Sequence, residues 1–342
     1  MVTPSDTTTT DDKGLTEARL APSRWIDVED IPVIDMAPSL DGSREGLAQV
    51  ARAVKAAAEG PGFFYVKNHG VPWDLVTTAR AAARRFFAQS LEKKQDVKVN
   101  AHHRGFLAIG QAKMADYVQA DQKESFVWGL EVSAEEAAAY PDNPFLTPNN
   151  WPSDMPELRA AAYDYFEAVL DCGRRLMKIF ALGLDLPEDT FIQNWQRPIA
   201  RGSVIYYPPQ SDSREKDQFG VAPHTDYGCL TVLCQDDVGG LEVQTRDGEW
   251  VKAHPIEGTF VVNVGDLLAR WSNNRFSSTP HRVVNRSGRE RYSLVVAVDP
   301  DYETLVDPTV TLAPNTTPND PAVLCGDYIL QRFDKAFSYR KS

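Results

Sequence analysis

His224 and Asp226 stand two residues apart, and His281 follows the aspartate by 55 residues. Imidazole and carboxylate hold divalent first-row metals, and in extended chain residues i and i+2 leave the same face. One His and one Asp can then take adjacent positions on a metal, with His281 the best candidate for the third. Two His and one carboxylate on one face of an octahedron leave three sites open. That arrangement suits non-haem Fe(II), which needs room for a chelating cosubstrate and for dioxygen. Alone, a His-x-Asp is more often a core or turn pair than a ligand pair. The other histidines form no cluster of similar quality, since His69 sits in a turn, His254 precedes a proline, and His102 and His103 are adjacent.

Arg291 and Ser293 are again two apart, in a run to Val298 that reads as a strand. A guanidinium can hold a carboxylate with two hydrogen bonds, and a hydroxyl beside it can donate a third. Arg291 lies ten residues after His281, which would let neighbouring antiparallel strands bring anchor and metal onto one cavity. Tyr207, in the strand before the His-x-Asp, could add a phenolic donor. An isolated Arg-x-Ser reads as a solvated strand face; the His/Asp/His set is what turns it into an acid anchor. The pair does not identify the acid, and a substrate carboxylate is an alternative occupant.

The elements that must position these residues change texture along the chain. Residues 1 to about 23 are polar, without periodicity, and are expected to be disordered. Ile31 to Asp35 reads as a first strand. Ser43 to Glu59 reads as a helix, with Leu47, Val50, Ala51 and Val54 at i, i+3, i+4 and i+7, a Ser43 cap and a stop at Gly60. A strand at Phe63–Val66 and a helix from Pro72 to Ser90 follow. His102 to Leu130 reads as loops beside the core, and Glu131 to Trp151 as a connection with one helical turn. Helices are expected from Pro156 to Leu182 and from Pro187 to Trp195. From Ser203 the chain breaks into short β-rich runs divided by Gly, Asp, Asn and Pro, the pattern of a sandwich or jelly roll. A last helix covers Asp327 to Tyr339. The expected fold class is α+β: a jelly-roll core flanked by N-terminal helices and a C-terminal helix, in one compact unit. Its segments are 1–23, 24–150, 151–200, 201–315 and 316–342.

Composition narrows the function classes. With 36 Lys and Arg against 48 Asp and Glu, the net charge is −12, and no basic run offers a nucleic-acid or anionic-membrane surface. No apolar stretch approaches the roughly 18 residues that span a bilayer, and the N-terminus lacks the pattern of a signal peptide. The four cysteines are scattered, without a Cys-x-x-Cys pair, and read as buried thiols in a reducing compartment. The expectation is a cytoplasmic protein acting on a small molecule, with oligomeric state open.

Taken as a set, these residues resemble the isopenicillin N synthase-like branch of the Fe(II)/2-oxoglutarate-dependent oxygenases. Ile31-Pro32-Val33-Ile34-Asp35 and Gly62 to Pro72 are similar to the family's N-terminal region, and His103-Arg104-Gly105-Phe106 to its pocket segment. Pro223 to Gly228, Asn263-Val264-Gly265-Asp266, Ser272 to Phe276, His281-Arg282-Val283 and Arg291-Tyr292-Ser293 follow its core in order. The resemblance implies a double-stranded β-helix with Fe(II) held by His224, Asp226 and His281. It implies that Arg291 and Ser293, assisted by Tyr207, bind the distal carboxylate of 2-oxoglutarate. It further implies that O2 and 2-oxoglutarate are consumed, with succinate and CO2 released, as a substrate is hydroxylated, desaturated or cyclised. Ile205-Tyr206-Tyr207-Pro208-Pro209-Gln210 departs from the Asn-Tyr-Tyr-Pro-x-Cys of plant members, as does Thr279-Pro280 before His281, which favours a microbial-type member.

From the segments that line the family's cavity, Arg104, Phe106, Phe126, Trp128 and Trp271 are the candidate substrate-pocket residues. Core packing is an equal alternative for each aromatic, whereas a buried Arg104 would need an acceptor beside it. The C-terminal helix around Tyr328, Ile329, Phe333 and Phe337 is expected to pack on the β core and shield the site. A 2-oxoglutarate-independent iron oxidase on the same scaffold and a non-catalytic jelly-roll binding protein are the alternatives.

Overall fold

A computed structural model describes residue 23 and residues 31–113, 119–193, 195–210 and 218–340. Strand β1 (Val33–Asp35), helix α1 (Arg44–Glu59) and strand β2 (Phe63–Lys67) open it. Ser43 caps α1, its hydroxyl accepting from the Gly46 N–H at 3.1 Å, and Leu47, Val50, Ala51 and Val54 form the buried stripe. Helices α2 (Trp73–Phe87) and α3 (Leu91–Gln95), strands β3 (Gly105–Leu107) and β4 (Glu124–Gly129), and helices α4 (Ala134–Ala138) and α5 (Pro156–Gly183) follow. The next strands are β5 (Arg201–Tyr207), β6 (Val221–His224), β7 (Leu230–Gln235), β8 (Leu241–Gln244), β9 (Trp250–Ala253) and β10 (Phe260–Val264). Helix α6 (Asp266–Trp271), β11 (His281–Val283), β12 (Arg291–Val298), a hairpin of β13 (Leu305–Val306) and β14 (Val323–Leu324), and helix α7 (Cys325–Ala336) complete it.

Two sheets face each other. The major sheet runs β1-β2-β10-β7-β12-β5-β4-β3, and the minor sheet runs β6-β11-β8-β9. Because side chains alternate along a strand, the major sheet feeds two cores. Its outer residues, such as Phe64, Val204, Val232, Leu294 and Val296, join α1, α2 and α5 in the larger cluster. Its inner residues Phe63, Tyr65, Tyr207 and Val261 meet Val221, Leu241, Val243, Val251 and Val283 of the minor sheet. This is the double-stranded β-helix that the family resemblance implies, the jelly-roll form of the two that the short β-rich runs suggest.

Two expectations change. His102–Leu130 contains β3 and β4, which extend the major sheet, β4 antiparallel to β5 and β3 antiparallel to β4. All six residues of β4 are buried, so the run lacks the polar alternation that marks a half-exposed strand. Residues 187–193 form turns rather than a helix, with the Thr190 and Ile192 N–H groups donating to Pro187 and Asp189 carbonyls three residues back. So short a segment gains too little from helical bonds to offset nucleation, and Phe191 fixes it by packing on Trp271 at 4.7 Å between ring centroids. Residues 1–22 of the expected disordered tail lie outside the described residues; Ser23 donates to Glu242 at 2.6 Å. Among the described residues, no helix is long and apolar enough to cross a membrane.

Candidate active site

His224 ends β6, and its register partner across the minor sheet is His281, the first residue of β11. Directly opposed residues in an antiparallel pair bring their side chains together, and the two imidazole centroids are 4.3 Å apart. Asp226 lies just past the end of β6. Its backbone carbonyl accepts from the Asp266 N–H at 2.8 Å, and the Gly265 N–H donates to Cys229 at 2.9 Å. A Cβ on Gly265 would stand 2.2 Å from the Gly228 carbonyl, so this close approach of loop to α6 requires glycine. Asp226 Oδ1 is 3.7 Å from Nε2 of each histidine, and one ligand atom from each residue fits within 4.8 Å of the others.

Neighbours set the chemistry of all three. Nδ1 of His224 lies 2.8 Å from the Ala222 carbonyl and Nδ1 of His281 lies 3.2 Å from that of Thr279. A carbonyl only accepts, so each Nδ1 carries the proton and each Nε2 turns its lone pair to the shared centre. Burial, with His281 beside it, holds His224 down at about 3, in the neutral form a metal needs. Burial pushes the Asp226 carboxyl up, but His281, His224 and the Asn263 amide outweigh it and hold the group at about 2. Asn263 donates to Oδ2 at 2.8 Å, leaving Oδ1 for the centre.

Across the cavity stands the second constellation. Arg291 and Ser293 on β12 are 0% and 1% exposed. The Arg291 Nε donates to the Gly239 carbonyl, while Nη1, Nη2 and the Ser293 hydroxyl have no hydrogen-bond partner. A buried guanidinium with its fork open is costly unless an acceptor arrives, and a carboxylate matches that geometry. Tyr207, opposite Arg291 in the β5–β12 register, lies with its ring 4.6 Å below the guanidinium carbon. The residues therefore fit both a divalent metal and an acid. Their strands are not neighbours, however: β11 pairs with β6 and β8, whereas β12 pairs with β5 and β7. The candidate ligands and the candidate anchor meet because the two sheets face each other.

Both constellations line one cavity of about 210 Å³. Strand parity decides its other walls. Leu107, Ser125, Val127, Arg201, Ser203, Ile205, Val295 and Ala297 face inward. Phe106, Phe126 and Trp128, proposed from the sequence as pocket residues, point the other way. Phe126 packs on Phe86 at 5.0 Å and Trp128 on Phe166 at 6.3 Å. Phe106 contacts Phe86 at 6.0 Å. Arg104 is 1% exposed and outside the cavity lining; its Nη groups donate to the His102, His103 and Phe145 carbonyls, the last at 2.7 Å, and its Nε has no hydrogen-bond partner. Trp271 sits against Phe191, outside the cavity. Of the helix expected to shield the site, Phe333 and Phe337 reach the lining, and Ile329 is buried in the larger core. Sequence reasoning missed His103, Lys123, Arg201, Tyr227 and Asn263. The available signal was parity: Lys123 keeps step with Ser125 and Val127, and Arg201 with Ser203, Ile205 and Tyr207.

Residues 201–300 match the family model of the 2OG-Fe(II) oxygenase superfamily, and residues 31–154 match that of the non-haem dioxygenase in morphine synthesis N-terminal region. The 2-oxoglutarate-Fe(II) type oxidoreductase hxnY of Emericella nidulans is 32% identical over 323 residues, covering 91% of this chain and 92% of that protein. Full-length Neurospora crassa T7H in complex with alpha-KG and thymine superposes with a TM-score of 0.79 at 27% identity, covering 91% of this chain and 98% of that one. JOX2 in complex with 2OG, Fe and JA gives 0.74 at 26% identity, covering 98% and 95%. With a jelly-roll core, a His-Asp-His centre and relatives of near-full length, the chain belongs to the Fe(II)/2-oxoglutarate-dependent oxygenases, in their isopenicillin N synthase-like branch.

Proposed function

We propose that His224, Asp226 and His281 hold the Fe(II) of this oxygenase, and that Arg291 and Ser293 hold the far carboxylate of 2-oxoglutarate. The observation that carries the second assignment is the pair of buried, unpartnered Arg291 nitrogens beside an unpartnered Ser293 hydroxyl, facing the three ligand residues across one cavity. The Tyr207 ring supports the guanidinium from below. The bound metal, 2-oxoglutarate and O2 supply the oxidising power, and succinate and CO2 leave.

The protein's own contribution is placement. The backbone carbonyls of Ala222 and Thr279 fix the imidazole tautomers, and Asn263 fixes the carboxylate. The Arg291 fork orients the cosubstrate, and apolar neighbours such as Phe63, Leu233 and Val295 keep water from it. A small organic substrate is then hydroxylated, desaturated or cyclised according to which of its bonds faces the iron. The acidic surface without a basic run, and four buried free thiols, suit a cytoplasmic enzyme without a nucleic-acid partner.

Anaerobic addition of 2-oxoglutarate to the Fe(II)-loaded protein should produce a visible charge-transfer band. His224→Ala should lose the iron and keep the fold. Arg291→Gln should keep the iron and bind 2-oxoglutarate more weakly by on the order of 10²-fold, the worth of two charge-assisted hydrogen bonds. No band in the wild type, with oxygen use indifferent to 2-oxoglutarate, rejects the anchor; unchanged iron content in His224→Ala rejects the ligand set.

A further inference from the structure

With iron and 2-oxoglutarate held as proposed above, the described cavity lining has one other buried side-chain donor without a hydrogen-bond partner, Nη1 of Arg201. This guanidinium cannot turn to satisfy itself. Its Nη2 donates to Asp299 at 2.8 Å, and Asp299, 0% exposed, also accepts from the Cys229 N–H at 2.5 Å. Its carbon lies 5.2 Å from the Phe333 ring centre. One edge is clamped to the protein and the other is open.

Strand register places that open edge. Asn263, Thr231, Ala297, Arg201 and Gly129 form one rung across β10, β7, β12, β5 and β4. Asn263 and Thr231 both hydrogen-bond Asp226, so this rung runs level with the proposed metal. Arg291 begins the same β12 six residues earlier, about 20 Å along the strand. The two open guanidinium edges therefore mark opposite ends of the cavity floor. The apolar part of the lining includes Leu107, Val127, Phe333 and Phe337, of which Phe333 lies beside Arg201. Lys123 also reaches the lining, paired with the buried Asp121 at 3.3 Å, and Asp226 is the one lining carboxylate among the described residues.

We propose that Arg201 is the specificity-determining residue, its Nη1 donating to a carboxylate or carbonyl oxygen of the substrate. The substrate is then a small molecule with an acceptor oxygen at one end and an apolar body lying against Leu107, Val127, Phe333 and Phe337. A cationic amine is disfavoured, because the Arg201 guanidinium would stand beside it and the one lining carboxylate among the described residues, Asp226, is a proposed metal ligand.

The test uses the anaerobic Fe(II)- and 2-oxoglutarate-loaded enzyme and three probes of one skeleton: 3-phenylpropionate, 3-phenylpropionamide and 3-phenylpropylamine. Acid and amide should perturb the visible band saturably, and the amine should bind about tenfold more weakly or worse, the scale of one hydrogen bond to a charged group. Arg201→Lys keeps the charge facing Asp299 but loses the second edge, so acid and amide binding should fall by about tenfold while the 2-oxoglutarate band is unchanged. Arg201→Gln with Asp299→Asn removes the buried ion pair as a unit, and the same loss is expected in that folded variant. Amine binding equal to that of the acid, no perturbation by either oxygen-bearing probe, or an equal loss for all three probes in Arg201→Lys overturns the role of Arg201. Absence of the 2-oxoglutarate band in the wild type would overturn the iron and cosubstrate assignment, and this one with it.

Discussion

Asp226 has two carboxylate oxygens, and its surroundings divide them. Oδ2 takes the Asn263 amide at 2.8 Å, and Oδ1 faces both histidines. Without that amide only the Thr231 hydroxyl would hold the carboxylate against rotation away from the centre. Asn263→Ala should therefore leave the fold intact and weaken Fe(II) binding by about 10–100-fold, measurable by competition with a chromogenic chelator; unchanged affinity would show that Asn263 merely fills space. His224 with Asp226 and Arg291 with Ser293 were legible in the sequence by their two-residue spacing, and His281 by comparison with the other histidines. Asn263 was not. It joins the site through a rung spanning five strands, and cross-strand register leaves no trace in linear spacing.

At the level of elements, the same period explains the misplaced pocket. The family resemblance pointed to Phe106, Phe126 and Trp128, yet on β3 and β4 the large rings face the helices. The cavity takes their smaller neighbours Leu107, Ser125 and Val127. Both faces of these strands are buried, so hydrophobicity alone could not tell inner from outer. The loop after β6 is constrained as tightly. A Cβ on Gly228 would stand 2.0 Å from Asp299 Oδ1, the atom that accepts from the Cys229 N–H. Gly228→Ala must displace the loop carrying Asp226 or break the Asp299 contacts. It should cost about 1–3 kcal/mol of stability, as overpacking does, and lower iron occupancy in parallel. Melting curves and iron analysis of the purified variant check both, and a variant with wild-type values for each would show that the loop yields freely.

For the whole molecule, the fold class followed from texture: helical periodicity first, short β-rich runs from Ser203, helix again at the end. What texture could not reveal is that β1 to β4, from the N-terminal half, complete the sheet that carries the anchor. Closure of the cavity is likewise a property of the whole chain. Phe333 and Phe337 come from α7 and the residue after it, and Tyr339 beyond them hydrogen-bonds His103. A chain ending at Gly326 should still consume 2-oxoglutarate but yield less oxidised product per succinate, because water reaches the oxidant. It should also lose about 1.5–3 kcal/mol for each buried side chain removed. A product-to-succinate ratio equal to that of the full chain, measured well below the melting temperature, would count against α7 as a seal.

The two-faced construction of the major sheet carries a consequence for how such an enzyme diversifies. Along β3, β4, β5, β7 and β12 the residues that line the cavity alternate with those that pack on the helices. Substitutions at 107, 125, 127, 203 or 295 alter the chamber while 126, 128, 204, 294 and 296 continue to hold the core. Variation can explore new substrates through one set of positions and leave foldability to the other, so a single scaffold becomes a reusable chassis for many oxidations.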